Sequence, residues 1–157
     1  MPITVGIDGY NTVAEADSYF ENRLFSDDWT NLPDSVMKEQ YLRTATLLQD
    51  TLCTWDGSKT DEDQNLEFPR NGETEIPANI KKANLEIVIE IISQQAISFI
   101  PSEAQLKQMK GGSAQLIFFE DPGTKITVVN SIAKYLLRKY GHCFFGDESI
   151  ITVELER

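Results

Sequence analysis

Residues 77–100 read PANIKKANLEIVIEIISQQAISFI, and this stretch decides the fold. Pro77 suits the first turn of a helix, because no backbone hydrogen bond is lost there. Apolar residues then cover most of the helical circumference, and the polar side is reduced to four residues: Lys82, Glu86, Glu90 and Ser93. A helix that is apolar nearly all round lies at the centre of a core. The sequence therefore predicts a buried central helix over 77–99, ended by Pro101.

The polar stripe of that helix is the first candidate for chemistry. Glu86 and Glu90 lie one helical turn apart, and paired carboxylates can transfer protons when one of them is buried. On a polar stripe, however, both are predicted to be solvated or to contact another subunit. The single histidine, His142, adjoins Cys143, and neighbours on an extended segment point apart. We therefore expect no catalytic or metal site and no cofactor, so that the protein is not an enzyme.

Three more helices are predicted, at about 13–25, 34–52 and 125–140. The first begins with a capping box, in which Thr12 accepts from the third helical amide and Glu15 reaches back. The second and third follow from apolar residues at helical spacing. Together with the central helix they predict a mainly α fold.

A long loop, residues 53–76, separates the second helix from the central one. It shows little periodicity, and loops of this length in a compact domain are commonly functional or disordered. Four residues are predicted to hold part of it against the core: Trp55, Leu66, Phe68 and Pro69. Residues 102–113 are predicted to be a connector.

Two short strands are predicted after the central helix, at about 115–120 and within the C-terminal arm 142–157. Residues 151–155 alternate apolar and polar side chains, which is typical of a strand with one apolar face. That strand can pair with the protein's own strand 115–120, or with a neighbouring molecule by adding to its sheet, or the segment can stay disordered. The candidate partner-binding residues of the arm are Phe144, Phe145, Ile151, Val153 and Leu155.

The charge of the chain is strongly negative and unevenly distributed. The formal net charge is −11, and residues 1–80 hold 16 acidic and 5 basic residues, whereas residues 81–157 hold 9 of each. A DNA-binding protein replaces counterions with Lys and Arg, so this balance predicts no specific nucleic-acid binding. The acidic surface either keeps the protein soluble or prevents adhesion to DNA that passes nearby.

The two cysteines and the hydropathy pattern bear on location. Cys53 and Cys143 lie far apart in the sequence and are predicted to be two free thiols in a reducing cytosol. The start of the chain does not resemble a secretory signal. The most apolar stretch, 85–100, is interrupted by charged and amide side chains, so we expect no membrane span.

Residues 10–95 resemble the bacteriophage head–tail connector (head completion) family, which is also described as DnaT-like single-stranded DNA-binding protein. The pattern begins with Tyr10-Asn11-Thr12, Ala14-Glu15-Ala16-Asp17, Tyr19-Phe20, Arg23, Trp29 and Ala45-Thr46. Its most specific part is Trp55-Asp56-Gly57-Ser58-Lys59, then Gln64, Leu66, Phe68-Pro69-Arg70 and Gly72. It ends with Ile76-Pro77, Ile80 and Ala83.

This resemblance implies a four-helix connector-like bundle over residues 1–141, with a short β element and an extended C-terminal arm, 142–157. It further implies a virion structural protein, made in the host cytoplasm and located at the virion neck. There an adaptor ring of about twelve copies, closed by cyclic symmetry, would join the portal to the tail after DNA packaging. Its partners would be further copies of itself, the portal protein and tail or neck proteins. A single-stranded DNA-binding module is the alternative function.

Overall fold

The computed structural model describes residues 1–94, 105–111, 114–120 and 130–143. The helices are α1 (Val13–Glu21), α2 (Asp27–Thr30), α3 (Ser35–Leu52), α4 (Ala78–Gln94) and α5 (Ser131–Leu137), and the strands are β1 (Cys53–Trp55), β2 (Gln105–Gly111), β3 (Ala114–Glu120) and β4 (Gly141–Cys143). The described part of the chain is therefore mainly α, as the sequence predicts. A bundle of four connector-like helices stays a prediction.

Helix α4 is the centre of the core. Ile80, Ile87 and Val88 are completely buried, and Ile91 is nearly so. Helices α3 and α5 both pack against α4, so its apolar sides each have a partner. The predicted central helix is confirmed over its described residues.

Helix α1 is shorter than predicted. The capping box of Thr12 and Glu15 is present at its start, but the helix ends at Glu21 rather than near 25. The chain turns through Phe25, whose φ of 60° is left-handed, and the hydroxyl of Ser26 donates to the carbonyl oxygen of Phe20 over 2.7 Å. The turn leads directly into α2, which the sequence did not predict and which buries Trp29.

The loop 53–76 is packed against the core, as predicted. Leu66 and Phe68 are buried. Arg70 is also buried, and its guanidinium donates to the carbonyl oxygens of Asp56 (3.1 Å) and Gly57 (2.6 Å). Because each backbone acceptor would otherwise need water, one arginine fixes the path of this loop. The first residues of the predicted loop form strand β1.

Asp50, near the end of α3, ties the same loop to the N-terminal segment. Its carboxylate accepts from the hydroxyl of Tyr10 and from the backbone amide of Glu67 (3.1 Å). Burial raises the pKa of Asp50 to about 6, against the opposing effect of those two hydrogen bonds. Burial of Tyr10, together with the negative charge of the neighbouring Asp50, raises the pKa of the Tyr10 hydroxyl.

Asp50 predicts a pH dependence of stability. Its pKa in the folded protein lies above the ordinary 3.8, so its contribution is present at low pH and is lost as the pH rises through about 6. The free energy of unfolding should gain about 1 kcal/mol from this group at about pH 5 relative to pH 7.5. Urea unfolding at both pH values, for wild type and Asp50→Asn, measures it. Equal pH dependence in the two proteins would contradict the assignment.

The β structure consists of two antiparallel pairs. Strand β1 pairs with β4, and β2 pairs with β3. The predicted strand at 115–120 is confirmed as β3, but the prediction that 102–113 is a connector is wrong, because 105–111 forms β2. Strand β3 pairs in antiparallel register with β2, the segment that immediately precedes it in the chain. No helix in the described ranges is long and apolar enough to cross a membrane.

Candidate nucleic-acid interface

The C-terminal part of the sequence contains a cationic segment. Residues 122–146 hold four Lys or Arg residues and no Asp or Glu. The structure describes 130–143 of this segment, which comprise α5, a turn and β4. This segment differs sharply in charge from the acidic first half of the chain. The net charge of −11 for the whole chain therefore hides a local excess of positive charge.

Helix α5 has a buried side and an exposed side. Ala133 and Leu137 are buried against the core, whereas Ile132 is 50% exposed. Four further exposed residues of α5 and of the turn 138–140 form what we call the cationic face of α5: Lys134, Tyr135, Arg138 and Lys139. Tyr135 is 61% exposed, although a tyrosine ring usually buries its large apolar surface.

The tyrosine and the arginine on this face are stacked. The guanidinium carbon of Arg138 lies 4.0 Å from the ring centroid of Tyr135. The two residues are three apart, a spacing at which helical side chains are neighbours, and the contact is a cation–π interaction. It keeps a flat aromatic surface and a positive charge together at the protein surface. Nearby, the Lys139 ammonium lies 5.8 Å from the ring centroid of Tyr140.

The N-terminal end of α5 is anchored on α4. The side chain of Asn130 accepts from the amide of Ala133 (2.9 Å), which caps the helix. The same side chain donates from its amide nitrogen to Glu86 (3.0 Å) and Glu90 (3.3 Å). One residue therefore fixes both the start of α5 and its position along α4.

Glu86, which receives this anchor, is part of a buried polar cluster. It is only 1% exposed, and each of its carboxylate oxygens lies 2.7 Å from a nitrogen of Arg23. The hydroxyl of Tyr19 donates to it over 2.6 Å. Burial acts to raise the pKa of Glu86, but the hydrogen bonds from Arg23, Tyr19 and Asn130 hold that pKa below its ordinary value.

The prediction of a solvated or inter-subunit position is therefore wrong for Glu86. The residue is buried inside one protomer, where four donated hydrogen bonds and one cation replace water. Such a cluster is structural, because its acid remains charged and fully bonded. Among the described residues, no group of three or more His, Cys, Asp or Glu is placed to hold a metal ion.

The C-terminal end of the cationic segment is anchored on α3 through β1 and β4. The strands pair with Cys53 opposite Cys143 and Trp55 opposite Gly141. A Cβ atom at Gly141 would lie 2.2 Å from the carbonyl oxygen of Thr54, so only glycine allows this approach. The helix predicted over about 125–140 ends at Leu137, and Gly141 opens β4.

The two cysteines form a disulfide across this strand pair. The prediction of two free thiols is wrong, because antiparallel pairing places residues 90 positions apart directly opposite each other. Sequence spacing alone contained no sign of that contact. The described part of the cationic segment, 130–143, is therefore held at its start by Asn130 and at its end by a covalent bond.

A groove lies between α2, α3 and the end of α4, on a different part of the surface. Leu32, Tyr41 and Ile91 are among the residues that line it. Its described lining includes Asp28 and no Lys or Arg. It therefore lacks the positive charge that a phosphate backbone requires.

The partner-binding residues that the sequence predicts are not among the residues that the structure describes. Phe144, Phe145, Ile151, Val153 and Leu155 all lie outside the described residues, so their proposed role in partner binding stays a prediction. The sequence analysis missed Tyr135 and Arg138. The available signal was an acid-free run of cations with interleaved tyrosines, which the overall charge of −11 obscured.

Comparison with known proteins identifies a family. A family model described as "Putative DnaT-like ssDNA binding protein" matches residues 2–157. No curated protein and no solved structure matches the chain.

This match contradicts the hypothesis that the chain is a virion adaptor. It points to single-stranded DNA, against the predicted absence of nucleic-acid binding and against the portal and tail as partners. The charge was compared only between the two halves of the chain, and residues 81–157 balance to zero although residues 122–146 hold four cations and no acid. Location at the virion neck followed from the adaptor reading and, like the absence of catalysis, stays a prediction. Because the match covers nearly every residue, the chain belongs to the family described as "Putative DnaT-like ssDNA binding protein".

Proposed function

We propose that the protein binds single-stranded DNA and that the cationic face of α5 is the contact surface. The observation that carries this proposal is the stacked pair of Tyr135 and Arg138, exposed on a segment that has no acidic residue. Family membership supports the same ligand. No catalytic role is assigned to the face.

The chemistry of single-stranded DNA matches this surface. Proteins that bind single strands combine cations that follow the phosphates with aromatic rings on which bases stack. Tyr135 offers the ring, and Arg138 and Lys139 offer positive charges. Bases in a duplex already stack on each other, so an exposed ring favours an unpaired strand.

The small number of cations sets the expected salt dependence. For single strands the logarithm of the binding constant falls with the logarithm of salt concentration by about 0.7 per neutralised phosphate. Phosphates neutralised by Arg138 and Lys139 give a slope of about −1.4, so that affinity falls about sevenfold between 50 and 200 mM salt. The remaining acidic surface repels the strand and confines contact to this face.

Charge reversal on the face should weaken binding. Arg138→Glu is expected to lower the affinity for a fluorescent oligothymidylate about tenfold at about 50 mM salt, since it removes a phosphate partner and the stack on Tyr135. Fluorescence anisotropy measures this loss. The matched control is Lys82→Glu on α4, which makes the same charge change at another exposed position. That variant should change affinity by no more than about twofold, the effect of charge at a distance.

The aromatic part of the same experiment uses Tyr135. Stacking of one base contributes about 1–3 kcal/mol, so Tyr135→Ala should weaken binding at least about fivefold, whereas Tyr135→Phe keeps the ring and most of the affinity. Equal losses in Arg138→Glu and Lys82→Glu would mean that only net charge matters and that the face is not the site. Absence of binding by wild type at low salt would contradict the function itself.

A further inference from the structure

The disulfide lies next to the cationic face of α5. Strand β4 follows α5 after the three-residue turn 138–140, and Cys143 in β4 is bonded to Cys53 in β1. Arg138 and Lys139 belong to that turn. The covalent bond therefore closes the end of the segment that presents the cations.

Apart from the disulfide, β4 is held to β1 by a ladder of three residue pairs in the described part of the chain. The strand is three residues long. The hydroxyl of Thr54 donates to the carbonyl oxygen of His142 over 3.2 Å, and the amide of Asp56 donates to that of Tyr140 over 2.9 Å. Short strand pairs at a surface open readily when no covalent bond holds them. Without the disulfide, α5 would keep its attachments at Asn130 and Leu137, and Tyr140 would keep its packing on Phe68. The exposed Arg138 and Lys139 would then be held by noncovalent contacts alone.

The two sulfur atoms differ in accessibility. Cys53 is 7% exposed, whereas Cys143 is partly exposed. A dithiol reductant can therefore attack through its thiolate at Sγ of Cys143, which breaks the disulfide and releases Cys53 as a thiolate that takes up a proton. The second thiol of the reductant then displaces Cys143 from the mixed disulfide. The protein gains two electrons and two protons, and the dithiol becomes a cyclic disulfide.

We propose that the Cys53–Cys143 disulfide is a redox switch on single-stranded DNA binding, with the oxidised protein as the strongly binding form. The inference rests on the proposed function of the α5 face. The oxidised form holds the turn with Arg138 and Lys139 in place before the strand arrives, so little ordering is needed on binding. The reduced form must order this turn on binding, which weakens affinity.

The test uses the full chain equilibrated with oxidised or reduced dithiothreitol. A maleimide mass shift counts the free thiols, and anisotropy with oligothymidylate at low salt measures affinity. The reduced protein should bind about fivefold more weakly or worse, with an unchanged far-UV circular dichroism spectrum, and reoxidation should restore binding. The double variant Cys53→Ser/Cys143→Ser should bind like reduced protein in both buffers.

Each other outcome has a distinct meaning. Equal affinity of the oxidised and reduced proteins would overturn the switch and leave the proposed function intact. Loss of the helical signal on reduction would make the disulfide a general stabiliser of the fold and would also overturn the switch. Failure of both redox forms to bind would overturn the proposed function, and the switch with it.

Discussion

Arg23→Ala should lower the free energy of unfolding by about 3–5 kcal/mol, because it leaves a buried carboxylate without its counter-charge. Glu86 is 1% exposed and receives two hydrogen bonds from Arg23. After the substitution only the neutral groups of Tyr19 and Asn130 remain as partners. Glu86 is covered by the rest of the protomer, so water replaces only part of the lost interaction.

The matched control for Arg23 is a second ion pair that also reaches α4. Lys81 in α4 lies 2.8 Å from Glu15 in α1, but 44% of the Glu15 side chain is exposed. Lys81→Ala should therefore cost no more than about 1 kcal/mol. Urea unfolding measures both variants, and Arg23→Ala combined with Glu86→Gln should recover part of the loss. Similar costs for Arg23→Ala and Lys81→Ala would show that burial of Glu86 is not the decisive factor.

Phe68→Ala should also lower the free energy of unfolding by about 3–5 kcal/mol, the usual cost of removing a buried aromatic ring. The ring of Phe68 is 2% exposed and meets three other rings edge-on. Its centroid lies 4.8 Å from that of Trp55 and 5.8 Å from that of Tyr140. The substitution thus opens a cavity between the loop 53–76 and the end of the cationic segment.

The chain offers the same substitution at an exposed position. Phe25 is 88% exposed, and Phe25→Ala should change the free energy of unfolding by no more than about 0.5 kcal/mol. Thermal and urea unfolding of the two variants compare one chemical change in two environments. A cost below about 1 kcal/mol for Phe68→Ala would mean that the loop is not packed as described.

Local patterns in the sequence determined much of the helical framework. The apolar circumference of residues 77–99 predicted a central helix, and α4 is buried accordingly. The capping box of Thr12 and Glu15 predicted the start of α1. These predictions are confirmed because the residues that interact lie within a few positions of each other in the sequence. Periodicity and spacing are then sufficient evidence. The burial of Phe68 was also predicted, since a large aromatic ring within a charged loop is stabilised by burying its apolar surface.

Contacts between distant residues were decided only by the tertiary structure. Glu86 occupies a polar stripe and looks solvated, yet Arg23, 63 positions away, makes its burial possible. Cys53 and Cys143 form a disulfide because the pairing of β1 with β4 places them directly opposite each other. The cationic face of α5 likewise depends on which side of the helix α4 covers, since burial of Ala133 and Leu137 directs Tyr135 and Arg138 outward. Helical periodicity gives the two faces, but only the packing partner selects the one that meets solvent.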